Sequence, residues 1–296
     1  MSDVVIKPLL DLQDMYEAVR LQQIYWGTDV ESVVPAHMLY TIALYGGQVL
    51  VAMDDDRMVG VLIGLLGADI ESNGKPAMAN LMIASKRMVV LPEYRSRGIG
   101  HQLKLAQRDY AMQQGIRLVT WTFDPLLSRN AHLNIRKLGA ISQKYVENLY
   151  GTDDNTGLAS LGSSDRLSIE WWVWTPRIES RVAGQDEKPT YAIQIERGAS
   201  VINPASFGSF AQPSDQFNPP DVGHCLIEIP FNMPEIIDAD SGLARVWRTH
   251  TRDIFQRVMS QGFMVTDFIH ETIDEHHRAF YVMTHREQFD FNVGDV

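Results

Sequence analysis

The 296-residue chain has a single cysteine, Cys225, so no internal disulfide can staple it. It also lacks any stretch of about 18 uninterrupted apolar residues, which leaves no candidate membrane span. Its first residues, Met1-Ser2-Asp3-Val4-Val5-Ile6-Lys7, do not have the basic-then-apolar layout of a secretory signal. Positive charge is scarce: 26 Lys and Arg stand against 37 Asp and Glu, a net charge of −11. Such a surface repels phosphate polymers unless a basic patch is strongly localised. The histidines His270, His276 and His277 do not make a His-Glu-x-x-His zinc site, because Asp274 stands where the second ligand is required. A polar turn between Ile269 and Phe280 is the simpler account. These absences predict a cytoplasmic protein without a nucleic-acid, membrane or metal partner.

Hydrophobic residues at 45% and charged residues at 21% describe an ordinary globular chain. At roughly 150 residues per domain, the length predicts about two compact units. Helical spacing covers residues 11–26, stopped by Gly27, and a second helix follows Pro35 and ends at Gly46-Gly47. Residues 48–53 and 58–66, separated by Asp54-Asp55-Asp56-Arg57, read as a hairpin. Residues 72–76 read as a loop, 81–91 as a long strand, 98–114 as a helix, 117–123 as a strand, 128–138 as a helix and 141–149 as a strand. A Gly/Ser/Asp-rich loop over 151–164 precedes an alternating strand at 166–174. There Trp171, Trp172 and Trp174 span both faces of one strand, so core packing accounts for at least two of them and the rest are candidates for the wall of an acceptor pocket.

The expected division is a first domain at 1–182, an irregular linker at 183–222 rich in Pro, Ser and Gly, and a C-terminal unit at 223–296. That unit carries a strand at 225–229, a helix at 241–260 and paired strands at 263–270 and 278–284.

The segment that carries chemistry is Met88-Val89-Val90-Leu91-Pro92-Glu93-Tyr94-Arg95-Ser96-Arg97-Gly98-Ile99-Gly100-His101. A strand runs into a turn with two glycines, which opens directly into a helix. Such a start presents backbone N–H groups and the positive end of the helix dipole to a phosphate. A dinucleotide fingerprint would need a glycine at Leu103, and a P-loop would need Gly-Lys-Ser/Thr, so neither applies. What remains is Arg-x-x-Gly-x-Gly, filled by Arg95, Gly98 and Gly100. The local charge agrees: residues 86–108 hold six basic side chains and one acidic, a net +5, against −16 for the other 273 residues.

This motif, with the Val-Leu-Pro-Glu-Tyr lead-in and the element order around it, resembles the GNAT superfamily of N-acyltransferases, in particular bacterial members with a C-terminal extension. The resemblance implies an α/β (α+β) fold with a mixed, mostly antiparallel sheet flanked by helices, and a C-terminal α+β unit similar to half of such a domain. It implies acetyl-CoA or another acyl-CoA as co-substrate and no metal. Main-chain groups of Met88, Val89 and Val90 would then pair with the pantetheine arm, N–H groups over Arg95, Ser96, Arg97, Gly98, Ile99 and Gly100 would hold the pyrophosphate, and Arg95, Arg97 and His101 would add charge. The acceptor would be a primary amine of a small molecule, such as an amino acid.

The match fails in two places. The tyrosine that many family members use to protonate the leaving thiolate falls on Ile135, and the asparagine that often begins that helix falls on Ser128, with Asn130 two residues on. No carboxylate occurs among Ser85, Lys86 and Arg87. Lys86 and Arg87 should point to opposite faces, so only one could face the acyl site. Asp124 is the candidate base; its alternative is an Asp that orders the turn before the next helix. Glu93 is a weaker candidate. Asn130 and Asn134 should share a helix face and touch substrate or cofactor, or act as a cap and a surface residue. The C-terminal unit, which lacks the cradle motif, would shape the acceptor site or a homodimer contact. The competing reading is a catalytically weak acyl-CoA-binding regulatory module.

Overall fold

A computed structural model describes residues 4–28, 33–69, 80–152, 163–220 and 223–290. The loop expected at 72–76 and most of that at 151–164 lie outside them. By compactness the chain divides into Met1–Trp121 with Trp172–Trp174, and Thr122–Trp171 with Thr175–Val296.

The first unit opens with a short strand, β1 (Val5–Pro8), whose four residues are too few to show a period. Helix α1 (Leu12–Trp26) begins where the Asp11 side chain accepts the Gln13 N–H at 2.7 Å, and ends at Gly27, whose φ of 83° a side chain would resist. Then come α2 (Ala36–Leu44), β2 (Gln48–Asp54), β3 (Arg57–Ala68), β4 (Leu81–Val90), α3 (Ile99–Gln113) and β5 (Leu118–Phe123). The sheet runs in the order β1-β2-β3-β4-β5. Its first four strands are antiparallel to their neighbours, and β4 runs parallel to β5. One core joins Met15, Ala18 and Leu21 of α1, Leu39 of α2, Val51, Val61 and Leu62 of the sheet, and Ile99 and Leu103 of α3.

Two features of β4 position the segment between it and α3. Its ladder with β5 pairs only Met82, Ile83 and Ala84 with Leu118, Val119 and Thr120, while β4 itself continues to Val90. Against β3, Ile63 faces Arg87 but Gly64 faces Ser85, so Lys86 is the extra residue of a β-bulge. A bulge bends the strand and re-aims its neighbours, here where β4 leaves β5.

In the second unit α4 (Ser128–Ala131) runs into a π-helical turn over His132–Lys137, followed by β6 (Ile141–Val146), β7 (Arg166–Trp172), α5 (Pro176–Val182) and α6 (Tyr191–Glu196). Three two-residue strands, β8 (Ser200–Val201), β9 (Ser206–Phe207) and β10 (Ala211–Gln212), precede β11 (His224–Ile229), α7 (Met233–Ala239), α8 (Ser241–Ser260), β12 (Phe263–Ile273) and β13 (His276–His285). Strand order here is β7-β6-β12-β13-β11-β8. Residues 183–220, read as irregular from composition, thus contain a helix and three short strands. The polar turn after β12 shrinks to Asp274-Glu275, both left-handed at φ 49° and 66°, because the strands run further on each side than their apolar runs. Trp247, Phe255, Phe268, Phe280 and Tyr281 are fully buried, and Tyr281 meets the rings of both Phe255 on α8 and Phe268 on β12. Among the described residues no helix is long and apolar enough to cross a membrane.

Candidate active site

The Arg95–His101 segment folds as its residue types dictate. Pro92–Tyr94 make one 3-10 turn, Ser96 sits left-handed at φ 63°, and Gly98 caps α3 at φ 84°. Gly98 brings no side-chain oxygen to the first turn, and nothing lies within 4 Å of where its Cβ would be. The helix start is therefore open to an outside acceptor such as a phosphate. Ile99 is buried at 3% exposure and anchors the turn, while Arg95, Ser96, Arg97 and Gly98 are exposed and Gly100 and His101 half-buried. Arg95 donates through Nε to the Val90 carbonyl at 3.1 Å and lies 5.4 Å from the Tyr25 ring centroid; Arg97 lies 4.9 Å from that of Tyr94. The loop that arrives at the cradle is tied down by Arg57 to Glu93 at 2.6 Å and by the Tyr94 hydroxyl donating to Asp54 at 2.6 Å. Glu93's own backbone N–H and then Arg57 hold its carboxyl below the usual range, which makes it a poor base.

The six basic residues of this region do not act together. Arg108 donates to the Val173 carbonyl at 3.0 Å, Arg87 is buried with its guanidinium 4.5 Å from the Trp26 ring centroid, and Lys104 is 3% exposed. Lys86, Arg95 and Arg97 remain exposed. As expected, Lys86 and Arg87 differ in surroundings, and it is Arg87 that turns inward. Met88 and Val90 are half-buried and Val89 is 5% exposed, on the stretch of β4 beyond its ladder with β5.

Lys104 is the feature that the apolar period concealed. It lies on the buried face of α3, where its Nζ donates to Ser85 Oγ at 2.8 Å and to Gln107 Oε1 at 3.2 Å and sits 3.6 Å from the centre of the Trp121 ring. Burial pushes this amine well below its usual 10.5. Gln107 in turn donates to Gln48 Oε1 at 2.9 Å.

In the second unit, Asp124 is not a free carboxylate. Arg248 of α8 grips both its oxygens, at 2.6 and 2.7 Å, and Oδ1 also accepts the Leu126 N–H at 2.9 Å. The pair is nearly buried, with side-chain exposures of 5% and 13%. A carboxylate whose lone pairs are engaged this way orders the turn before α4, the alternative role for this residue. One helical turn further along α8, Arg252 holds Asp165 at 2.9 Å through both Nε and Nη2, and the Tyr145 hydroxyl donates to the same carboxylate at 2.8 Å. Composition gave no sign of these pairs; the signal was two arginines four apart beside the apolar stripe of Trp247, Ile254 and Phe255.

Asn130 and Asn134 do not share a face: Asn130 is exposed and Asn134 is 5% exposed. The π-helical turn, with the Leu138 N–H reaching back to the Leu133 carbonyl at 3.0 Å, adds a residue per turn and breaks the i, i+4 alignment. Ile135 is fully buried, so no acid is recovered there by a change of register. Trp171 is core, its Nε1 donating to the Leu138 carbonyl at 2.9 Å, whereas Trp174 is 46% exposed. No cluster of His, Cys, Asp and Glu able to hold a metal occurs among the described residues.

Residues 45–139 match the acetyltransferase (GNAT) domain family. No curated protein matches the chain. Solved structures similar to it include the ribosomal-protein-S18-alanine N-acetyltransferase from Escherichia coli, at 14% identity over 58% of this chain and 96% of that one, with a TM-score of 0.44. Arabidopsis thaliana NAA60 in complex with a bisubstrate analogue aligns at 12% identity over 57% and 98%, with a TM-score of 0.46. Salmonella typhimurium yncA with its cofactor acetyl-CoA aligns at 14% identity over 64% and 97%, with a TM-score of 0.44. The match lies on the elements from β2 to the end of the π-helical turn and includes the whole Arg95–Gly100 segment, so it is this part of the chain that is similar to the acetyltransferase (GNAT) domain.

Proposed function

We propose that this chain is an acyl-CoA-dependent N-acyltransferase that moves an acetyl group to a primary amine of a small molecule, with an amino acid as the favoured acceptor class, by direct attack on the thioester. The observation that carries the reading is the cradle: a glycine-capped helix start, free of any side-chain cap and flanked by exposed Arg95 and Arg97, beside a strand edge that has left its neighbour. These residues fit a pyrophosphate, which needs N–H donors, close backbone approach and positive charge. Coenzyme A supplies the activated acyl group as a thioester. The chain's own residues then hold the phosphates over residues 95–100 and receive the arm along the backbone of Met88, Val89 and Val90.

Titration calorimetry with acetyl-coenzyme A, succinyl-coenzyme A and free coenzyme A tests the first half: binding of at least one is expected, and no heat at millimolar ligand would sink it. Thiol release with a panel of amines tests the second. Tight binding without turnover on any amine would favour the regulatory-module reading.

A further inference from the structure

An attacking amine must shed a proton as the carbon–nitrogen bond forms, and the departing thiolate must gain one. In this chain the usual positions offer neither: Ile135 is apolar and buried, Ser85, Lys86 and Arg87 include no carboxylate, and Asp124 is gripped by Arg248. We propose that Ser85 and Lys104 form a two-residue proton relay for the transfer, Ser85 Oγ touching the acceptor nitrogen and Lys104 Nζ acting through that hydroxyl. The inference rests on the acyltransferase reading above.

The geometry around Lys104 suits an uncharged amine. Such an amine has two N–H donors and one lone pair. Nζ has three neighbours: the Gln107 carbonyl oxygen and the face of Trp121, both acceptors, and the Ser85 hydroxyl, which can donate as readily as it accepts. Among the described residues no carboxylate makes a salt bridge to this lysine, and burial alone accounts for its lowered affinity for a proton. That direction, with its neutral neighbours, favours a base over an ammonium.

The neighbours are themselves fixed. The Gln107 amide donates to Gln48, which turns its oxygen toward Nζ. The close approach of both glutamines depends on Gly64, where a Cβ would come within 2.8 Å of Gln107 Nε2 and 3.2 Å of Gln48 Oε1. Ser85 is the first residue of β4 past the last β5 pair, Ala84 with Thr120, and Trp121 is the residue after that pair on β5. The bulge at Lys86 follows at once. The dyad therefore sits at the fork where the edge of β4 opens, not deep in a continuous sheet.

The proton balance closes without another group. The acceptor enters as the free amine, its ammonium proton already lost to solvent. Its nitrogen attacks the thioester carbonyl carbon, and as the C–N bond forms the nitrogen's proton passes to Ser85 Oγ while the Ser85 proton passes to Lys104 Nζ. The C–S bond breaks with its electron pair on sulfur. The relay then runs back and delivers the proton to the thiolate, giving amide and thiol and leaving Lys104 uncharged, as it began.

The test has two arms. In the first, lysines are labelled at Cε and titrated by NMR without substrate, the Lys104 signal being assigned by its loss in Lys104→Met. A titration well below the surface lysines is expected, and one coincident with them overturns the relay. In the second, Lys104→Met is compared with wild type. Acetyl-coenzyme A affinity and melting temperature should hold, while kcat falls by about 10²- to 10⁴-fold and the acid limb of its pH profile disappears. Ser85→Ala should lose a similar factor, and Ser85→Thr should recover part of it. An unchanged kcat in Lys104→Met, a loss that tracks melting or affinity, or an acetyl group found on Ser85 by mass spectrometry would each overturn it. If wild type acetylates no amine, the acyltransferase reading fails and takes the relay's role with it, while the titration still decides whether Lys104 is the uncharged base described.

Discussion

The pair Asp124–Arg248 separates two meanings of one carboxylate. Both side chains are nearly buried, and each carboxylate oxygen takes one guanidinium N–H at 2.6 or 2.7 Å. Arg248 Nε, also buried, has no hydrogen-bond partner among the described residues, so the two bonds to Asp124 carry most of the compensation for taking this charge out of water. Asp124→Asn keeps the shape but turns an N–H₂ toward one guanidinium N–H and removes the countercharge. Breaking a buried pair on one side costs about 3–5 kcal/mol, a large share of the roughly 5–15 kcal/mol that holds a domain together. The single variants Asp124→Asn and Arg248→Met should each lose stability on that scale in urea unfolding. The double variant should regain at least half, because no uncompensated charge is left. Activity divides the meanings. If Asp124 only orders the turn, turnover returns with stability in the double variant; if it takes the amine's proton, the double variant folds and stays inactive. Single-variant losses below about 1 kcal/mol, the range of exposed pairs, would refute the reasoning.

Three further outcomes rest on named residues. Gly98→Ala meets no neighbour but forces a side chain to φ 84°, so it should cost about 1–2 kcal/mol and weaken coenzyme A binding in calorimetry; unchanged binding and melting would remove this turn from the cradle. Arg95→Glu puts a negative charge beside the expected pyrophosphate and should weaken binding most at low salt, so an affinity independent of both charge and salt would exclude Arg95. Burial first, then the neighbouring His270 and Lys137, hold the His132 imidazole from its ordinary 6.5 down to about 4. Since the unfolded chain takes up that proton first, its contribution to stability is complete above pH 6.5 and declines as pH falls toward 4. His132→Phe should flatten the dependence of melting temperature on pH across that window, and an identical slope in the variant would reject it.

How much of the fold is legible in the sequence depends on whether the signal is local. Glycines at 98 and 100 after a strand and before a helix point to an open helix start, and the structure has one at Gly98, left-handed at φ 84° with no side-chain cap. The helices at 11–26 and 241–260 show their periods, and capping residues mark their ends. β1 escapes because four residues carry no period, and α7 because its seven residues span barely two turns and open on Pro234. The apolar runs at 263–270 and 278–284 stop short of the full β12 and β13 because the strand ends are polar, and backbone pairing, not side-chain pattern, carries them to Asp274-Glu275.

The site residues divide along the same line. Asp124 reads as a candidate base because, taken alone, a carboxylate at a strand end can be one; its partner lies 124 residues away on α8, and no local pattern links them. Lys104 falls out of view for the opposite reason. In Ile99, Leu103 and Ala106 the helix shows a buried face, and a lysine next to that stripe reads as a charge at its margin whose head escapes to solvent. What denies it that escape is Ser85 on one strand, Trp121 on the next and Gln107 one turn along, three contacts from separate segments. Both cases concern one physical quantity, the cost of holding a charge out of water. Arg248 keeps its charge because a carboxylate meets it; Lys104, which meets no carboxylate among the described residues, holds its proton less firmly. That difference is why the arginine pair is read as scaffold and the lysine as the group with a proton to move.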